Sequence, residues 1–297
     1  MSWKEVYHQG WTLASAEKAT ILRCEVGSKA YGTSVDESQS DRDEMGVLLE
    51  PLRIILTKDN PKPFVYRDAV EREGTHNAKS KAGDLDLKLY GLKHFCHLAL
   101  NGNPDVLMLL FTKPLVADAR GMRLQELRQS FLSQQCIPKF KGYMQGQRLR
   151  LQGLLGQKDV NRPELVEKYG YDTKYAMQMI RLGLQAVEII STGQITLPMA
   201  SAQLCKDIRV GAYTQPQVVE FGRELEDLID KFAKTTPLPE KPNSDKVWDF
   251  AGSLYLELWK CHAFDNEVQR GVLMSSEQRA KAWSDGNKKE QREGEGL

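Results

Sequence analysis

Several absences narrow the reading before any motif is considered. The chain has no C-x-x-C pair, and its five cysteines, Cys24, Cys96, Cys136, Cys205 and Cys261, are odd in number and far apart. That spacing argues against a zinc site or a disulfide framework, and for reduced, mostly buried thiols in a cytoplasmic protein. No run of about 18 apolar residues occurs, so no membrane span is expected, and Met1 to Thr12 has no apolar stretch of signal-peptide length. Charge imbalance is also missing. With 41 Lys and Arg against 40 Asp and Glu the formal net charge is +1, so no overall field draws the chain to nucleic acid or membrane, although a local basic groove stays open. The histidines (His8, His76, His94, His97, His262) have no metal-ligand spacing, and His94 and His97 read as structural.

What is present suits a globular protein of about two domains. Hydrophobic residues make up 41% and charged residues 27%, enough to bury a core without disulfides. Residues 20–26 read as a strand that stops at Gly27. A second apolar stretch holds Val47, Leu48 and Leu49, then a break at Pro51 and Ile54-Ile55-Leu56. Residues 67–83 are polar, contain Gly74 and Gly83, and predict a turn or mobile hairpin. In Asp84-Leu-Asp-Leu-Lys-Leu89 the leucines face one way and Asp84, Asp86 and Lys88 the other, the pattern of a half-buried strand. A helix over Leu92 to Leu100 ends at Asn101-Gly102. Asn103-Pro104 then caps and opens a short apolar helix through Phe111.

The second half reads as helical throughout. Pro138 opens a helix carrying Gly142 and Gly146, four apart, which would let another backbone approach closely. Thr173 to Ser191 is the strongest helical signal, with Asp172 as a candidate cap. Helices are also expected over Gln215 to Lys234 and Asp245 to Lys260. The chain from Ser275 to Leu297 has almost no apolar residues and is expected to be disordered. The fold class is thus α+β, a mixed sheet with flanking helices to about residue 115–135 and a helical domain after it.

The chemistry is carried by carboxylates. Asp41 and Asp43, two apart in an extended segment, point to one face and repel unless a cation lies between them. Mg²⁺ is a hard cation that takes such oxygen ligands. Asp86, on the polar face of its strand, is the candidate third ligand. Two metals held this way can clamp an in-line displacement at phosphorus. Gly27-Ser28 at a strand end can face a phosphate with backbone N–H groups and a hydroxyl. Each feature alone has an ordinary reading, a solvated turn or the wet face of an edge strand; together and in order they point to a site. Lys174, Gln178 and Arg181 fall on one stripe of an otherwise apolar helix, which faces either an anion such as a triphosphate or open solvent. Tyr31 either stacks on a base or packs in the core.

These residues resemble a known family. Val26-Gly27-Ser28 followed by Asp41-x-Asp43 is similar to the signature of the DNA-polymerase-beta nucleotidyltransferase superfamily. The run Gly27-Ser28-Lys29-Ala30-Tyr31-Gly32-Thr33 with Ser40-Asp41-Arg42-Asp43 resembles its RlaP-type branch, predicted nucleotidyltransferases linked to RNA repair. Asp86 with Leu89-Tyr90-Gly91-Leu92-Lys93-His94-Phe95, Gly102-Asn103-Pro104-Asp105-Val106-Leu107, Tyr171-Asp172-x-Lys174-x-Ala176, Ile180-Arg181-Leu182 and Leu238-Pro239-Glu240 extend the likeness over roughly residues 20 to 255. It departs at Met108 and at Met177-Gln178, positions that bear on the acceptor or the base.

The organisation of the chain, read with the resemblance, gives a nucleotidyltransferase catalytic domain over residues 1–130, a helical domain over 131–270 and, by composition, a largely disordered tail over 271–297. The resemblance implies a metal-dependent enzyme with Asp41, Asp43 and Asp86 as catalytic metal ligands for two Mg²⁺ ions, Mn²⁺ being a substitute. Gly27, Ser28, Tyr31, Lys174 and Arg181 would bind the nucleotide. The substrates implied are an NTP, ATP included, and a hydroxyl acceptor, RNA first among candidates, with pyrophosphate released. Two other readings stay open: a nucleotide- or RNA-binding regulatory module with little turnover, and a toxin or host-modifying enzyme that nucleotidylates tRNA or protein.

Overall fold

A computed structural model describes residues 11–36, 41–57, 62–75, 78–155 and 162–269. The expected tail over 271–297 lies outside them. The described residues through Ala251 belong to one compact unit; a second begins at Gly252. Among the described residues no helix is long and apolar enough to cross a membrane.

The chain begins with α1 (Leu13–Ala19), β1 (Thr20–Glu25), α2 (Gly27–Tyr31), β2 (Arg42–Leu48), α3 (Leu52–Thr57), β3 (Phe64–Arg67), α4 (Asp68–Glu73), β4 (Leu85–Gly91) and α5 (Leu92–Leu100). Next come α6 (Pro104–Leu107), a 3₁₀ turn (Met108–Leu110), β5 (Pro114–Ala117), α7 (Ala119–Glu126) and α8 (Arg128–Phe131). The strands form one mixed sheet in the order β3-β4-β2-β1-β5, in which β2 and β4 run parallel and the other neighbours antiparallel.

The alternation in β4 does what the sequence predicts. Leu85, Leu87 and Leu89 are buried with Ala16, Leu48 and Phe64 beneath Trp11 and Leu13. Fully burying each such leucine contributes about 1.5–3 kcal/mol. The opposite face is left to Asp86 and Lys88. Asn103 accepts hydrogen bonds from the Asp105 and Val106 backbone N–H groups, as its place before Pro104 predicts.

The structure differs from expectation over 67–83. Strand β3 (Phe64–Arg67) ends at the first residue of that stretch and the next six form α4, which ends at Gly74 in the left-handed region; the described residues after it are turns and irregular chain. Four residues are too few to alternate visibly; β3 is a strand because the open edge of β4 pairs with it over Phe64–Arg67.

The helical part holds α9 (Cys136–Leu151), α10 (Pro163–Tyr169), α11 (Thr173–Thr192), α12 (Ala202–Arg209), α13 (Gln215–Ala233) and α14 (Ser244–Gln269). Helix α11 is central, packed against α9, α12 and α13. Asp172 caps it, accepting from the Lys174 and Tyr175 N–H groups, and Gly193 ends it in the left-handed region. The helical part meets the sheet-bearing part at specific points, through α11 and through the segment that follows it. Gln185 Nε2 donates to Met108 Sδ at 3.4 Å, and the Met199 N–H donates to the Tyr31 carbonyl at 3.1 Å.

Candidate active site

Strand pairing builds the acidic cluster. In the parallel β2–β4 ladder Asp43 lies directly opposite Asp86, and Asp41 sits two residues before Asp43 at the mouth of β2. One carboxylate oxygen from each of the three lies within 4.8 Å of the others. Arg67, paired with Asp86 in the β3–β4 ladder, donates from Nε to Asp86 Oδ2 at 3.1 Å, and the Ser80 hydroxyl lies 3.2 Å from both oxygens. The third carboxylate is therefore held in place from the side.

Gly27 shapes the cluster from beneath. Its φ is +72°, and a Cβ there would overlap the Asp43 carboxylate, so only glycine lets β1 end so close to it. The Val26 N–H donates to the Asp43 carbonyl at 2.8 Å, tying that strand end to β2.

The cluster carries its electrostatic cost openly. Burial, then Asp41 and Asp86, push the Asp43 carboxyl from its ordinary 3.8 up to about 6, against the opposing pull of Lys174 and Lys29. Three converging oxygen donors, two of which raise the proton affinity of Asp43, suit a hard divalent cation. The residues present therefore fit the metal that the sequence pattern implies.

Facing the acids is a cleft of about 460 Å³. Gly27, Ser28, Tyr31, Asp41 and Asp43 line one side and Lys174, Gln178, Arg181 and Arg209 the other. The α11 stripe thus lines the cleft, running from Lys174, exposed at its mouth, to a buried Arg181. Arg181 is buried, stacks over the Tyr31 ring at 4.4 Å and donates to Gln185 Oε1 at 2.8 Å. Tyr31 therefore has a packing partner and a cleft-facing position at once. Lys174 is held below its usual pKa by burial and by the nearby Arg162 and Arg209 guanidiniums. Arg209 is likewise depressed, by burial and then by Arg162. Cations crowded until they repel are a ready anion site.

Two of these cations escape the sequence patterns. Arg209 ends α12 and donates to Thr173 Oγ1 at 3.0 Å; Arg162 precedes α10 and donates to Asp172 Oδ2 at 2.7 Å. Neither belongs to a stripe or motif. The sole trace is that each sits at a helix boundary near the cap of α11.

Other expectations find plain structural roles. His94 meets Tyr90 edge-on and His97 meets Trp248 edge-on. Cys24, Cys96, Cys136 and Cys205 are buried free thiols; the Cys261 side chain, His8, His76 and the His262 side chain lie outside the described residues.

Residues 11–257 match the family described as RlaP, RNA repair pathway DNA polymerase beta family. An uncharacterized 38.9 kDa protein of the nrdC–mobD intergenic region in Enterobacteria phage T4 is 24% identical, the alignment covering 80% of this chain and 97% of that protein. A crystal structure of a nucleotidyltransferase-like protein from Exiguobacterium sibiricum shares 9% identity over 78% of this chain and 74% of that one, with a TM-score of 0.28.

Proposed function

The chain belongs to the RNA repair pathway DNA polymerase beta family, a nucleotidyltransferase family, and from that premise we propose that it transfers an NMP from an NTP to a hydroxyl acceptor, RNA in the first instance, and releases pyrophosphate. The observation that carries the reading is Asp43 facing Asp86 across parallel strands, with Asp41 beside it, opposite a wall of cations.

Asp41, Asp43 and Asp86 would hold Mg²⁺, with Mn²⁺ as a substitute. When bound there, a divalent cation supplies the positive charge that offsets the phosphate oxygens during displacement. The chain's own residues do the rest. Ser28, Lys174 and Arg209 hold the β- and γ-phosphates. Arg181, fixed by Tyr31 and Gln185, holds the nucleotide against the acids. Arg67 and Ser80 keep the Asp86 carboxylate aimed at the acceptor side. The acceptor hydroxyl gives its proton to the Asp86 carboxylate, its oxygen bonds to the α-phosphorus as the bond from that phosphorus to the pyrophosphate oxygen breaks, and pyrophosphate leaves as the anion. Catalysis is then mainly positioning and charge. In this reading residues 1–130 supply the metal site and residues 131–270 the second wall.

The test is incubation with each α-labelled NTP and total cellular RNA, with Mg²⁺ or with chelator. Label is expected in RNA, with pyrophosphate released, in the Mg²⁺ arm only. Transfer that persists after Asp41→Ala with Asp43→Ala would overturn the assignment. Metal-dependent NTP binding without pyrophosphate release would favour a regulatory module instead.

A further inference from the structure

We propose that a second groove, on the Asp86 side of the carboxylates, seats the hydroxyl-bearing end of a single-stranded nucleic acid, with Tyr143 as a stacking platform and Gly142 and Gly146 as an open floor. The proposal rests on the transfer reading for its direction and adds to it a site and an acceptor class.

Two cavities make the groove. One, of about 330 Å³, lies against β2–β4 and includes Asp43, Asp86 and Lys88. The other, of about 500 Å³, lies over α9 and includes Gly142, Tyr143, Gly146, Gln147 and Arg150. Asp105, Gln178 and Arg181 line both, so the groove is continuous from the acids to α9. Ser28, Lys174 and Arg209 line neither, which separates it from the phosphate side of the cleft.

The floor is telling. Gly142 and Gly146 lie one turn apart inside a helix of 16 residues, where glycine weakens the helix relative to alanine. Packing within the protein does not require them. A Cβ at Gly142 would meet nothing within 4 Å, and one at Gly146 would meet only the tip of Arg150 at 3.3 Å. Bare backbone here serves something that comes from outside.

The walls match the parts of a nucleotide. Lys88 and Arg150 form no ion pair among the described residues and are available to phosphates. The Tyr143 side chain is exposed, and its hydroxyl is fixed by Asn103 Nδ2 at 2.9 Å, so its ring is held for stacking. Gln147 Oε1 is buried with no hydrogen-bond partner and lines the same cavity. The Asp105 carboxylate makes no ion pair among the described residues and can accept a hydrogen bond from a hydroxyl. A duplex would hide the base faces that Tyr143 can stack upon.

The test uses the full chain and a short 5′-labelled oligoribonucleotide with a free 3′-hydroxyl, read by fluorescence anisotropy and by extension with NTP and Mn²⁺. Gly142→Leu fills the floor yet favours the helix, and Tyr143→Ala removes the platform. Each is expected to weaken oligonucleotide binding about tenfold or more, while NTP affinity in Mn²⁺ and thermal stability hold. A duplex of the same sequence is expected to compete poorly. Equal binding by wild type and both variants, equal competition by the duplex, no binding at all, or label appearing on protein and not on RNA would each overturn the proposal. Binding lost in the variants without extension by wild type would sustain the groove and sink the transfer reading, so the two fail separately.

Discussion

The wall made by β2 and β4 and the wall made by α11 and the end of α12 both gather like charges, but they hold them differently. The acids are fixed by backbone: Asp43 and Asp86 are opposed by strand register, and Gly27 leaves the space that the Asp43 carboxylate occupies. The cations sit on long side chains whose positions depend on Tyr31, Gln185, Thr173 and Asp172. Each wall is strained alone, and a metal-bound polyphosphate would relieve both. Acid-wall changes should therefore act nearly all-or-none, whereas cation-wall changes should be graded.

The sharpest break is Asp43→Asn. It removes a metal ligand while keeping the shape, and it also removes the repulsion from Asp41 and Asp86. Transfer is expected to fall by roughly 10³-fold or more, the several kcal/mol a metal supplies, while the metal-free protein melts at a higher temperature than wild type. A variant that loses activity and stability together would mean that the carboxylate holds the fold and not a metal.

Gly27→Ala tests the same wall through its backbone. At φ +72°, with a Cβ driven into the Asp43 carboxylate, it is expected to cost about 1–3 kcal/mol in a denaturant melt. Unchanged stability would show that β1 can end elsewhere and that the acid wall is less rigid than its register implies.

The contrast between the walls also explains what sequence could reveal. Asp41, Asp43 and Asp86 were legible because strand periodicity places residues two apart on one face and the leucines of β4 declare which face is wet. Lys174 and Arg181 were legible through helical spacing. Arg209, which lines the cleft, and Arg162, which sits on Asp172 beside it, were not, since both come from helix boundaries whose placement depends on tertiary packing around α11. The same limit hid β3, a four-residue strand that exists because β4 offers it an edge. Arg67, which steadies Asp86, was lost with it.

Arg209→Gln probes the graded wall. Loss of a charged contact to a phosphate is worth about 1.5–3 kcal/mol, so KM for the NTP is expected to rise about 10- to 100-fold with kcat changed far less. Arg209→Lys should recover part of the loss, since a point charge replaces a fork. Equal falls in kcat and kcat/KM would instead place Arg209 at the reacting phosphorus and erase the distinction between the walls.

The smallest effect is in pH dependence, and it separates the acid wall's repulsion from its chemistry. The Asp43 carboxyl ionises at about 6 in the fold against 3.8 ordinarily, so between those values the folded chain binds more protons than the unfolded one. Its contribution therefore favours folding below that window and is lost as pH rises through 6. Because the carboxyl keeps some contact with solvent, the loss is expected to be roughly 1–2 kcal/mol, less than the full shift would give. Wild type compared with Asp43→Asn in chelator, melted from pH 5 to pH 7.5, should diverge in that direction. With saturating Mn²⁺ the sign reverses, because protons compete with the cation: the stabilisation by metal should be largest at pH 7.5 and shrink below pH 6. If wild type and variant kept parallel curves in both conditions, the three acids would not be facing one another closely enough to share a metal, and the acid wall would be no different in kind from the cationic one.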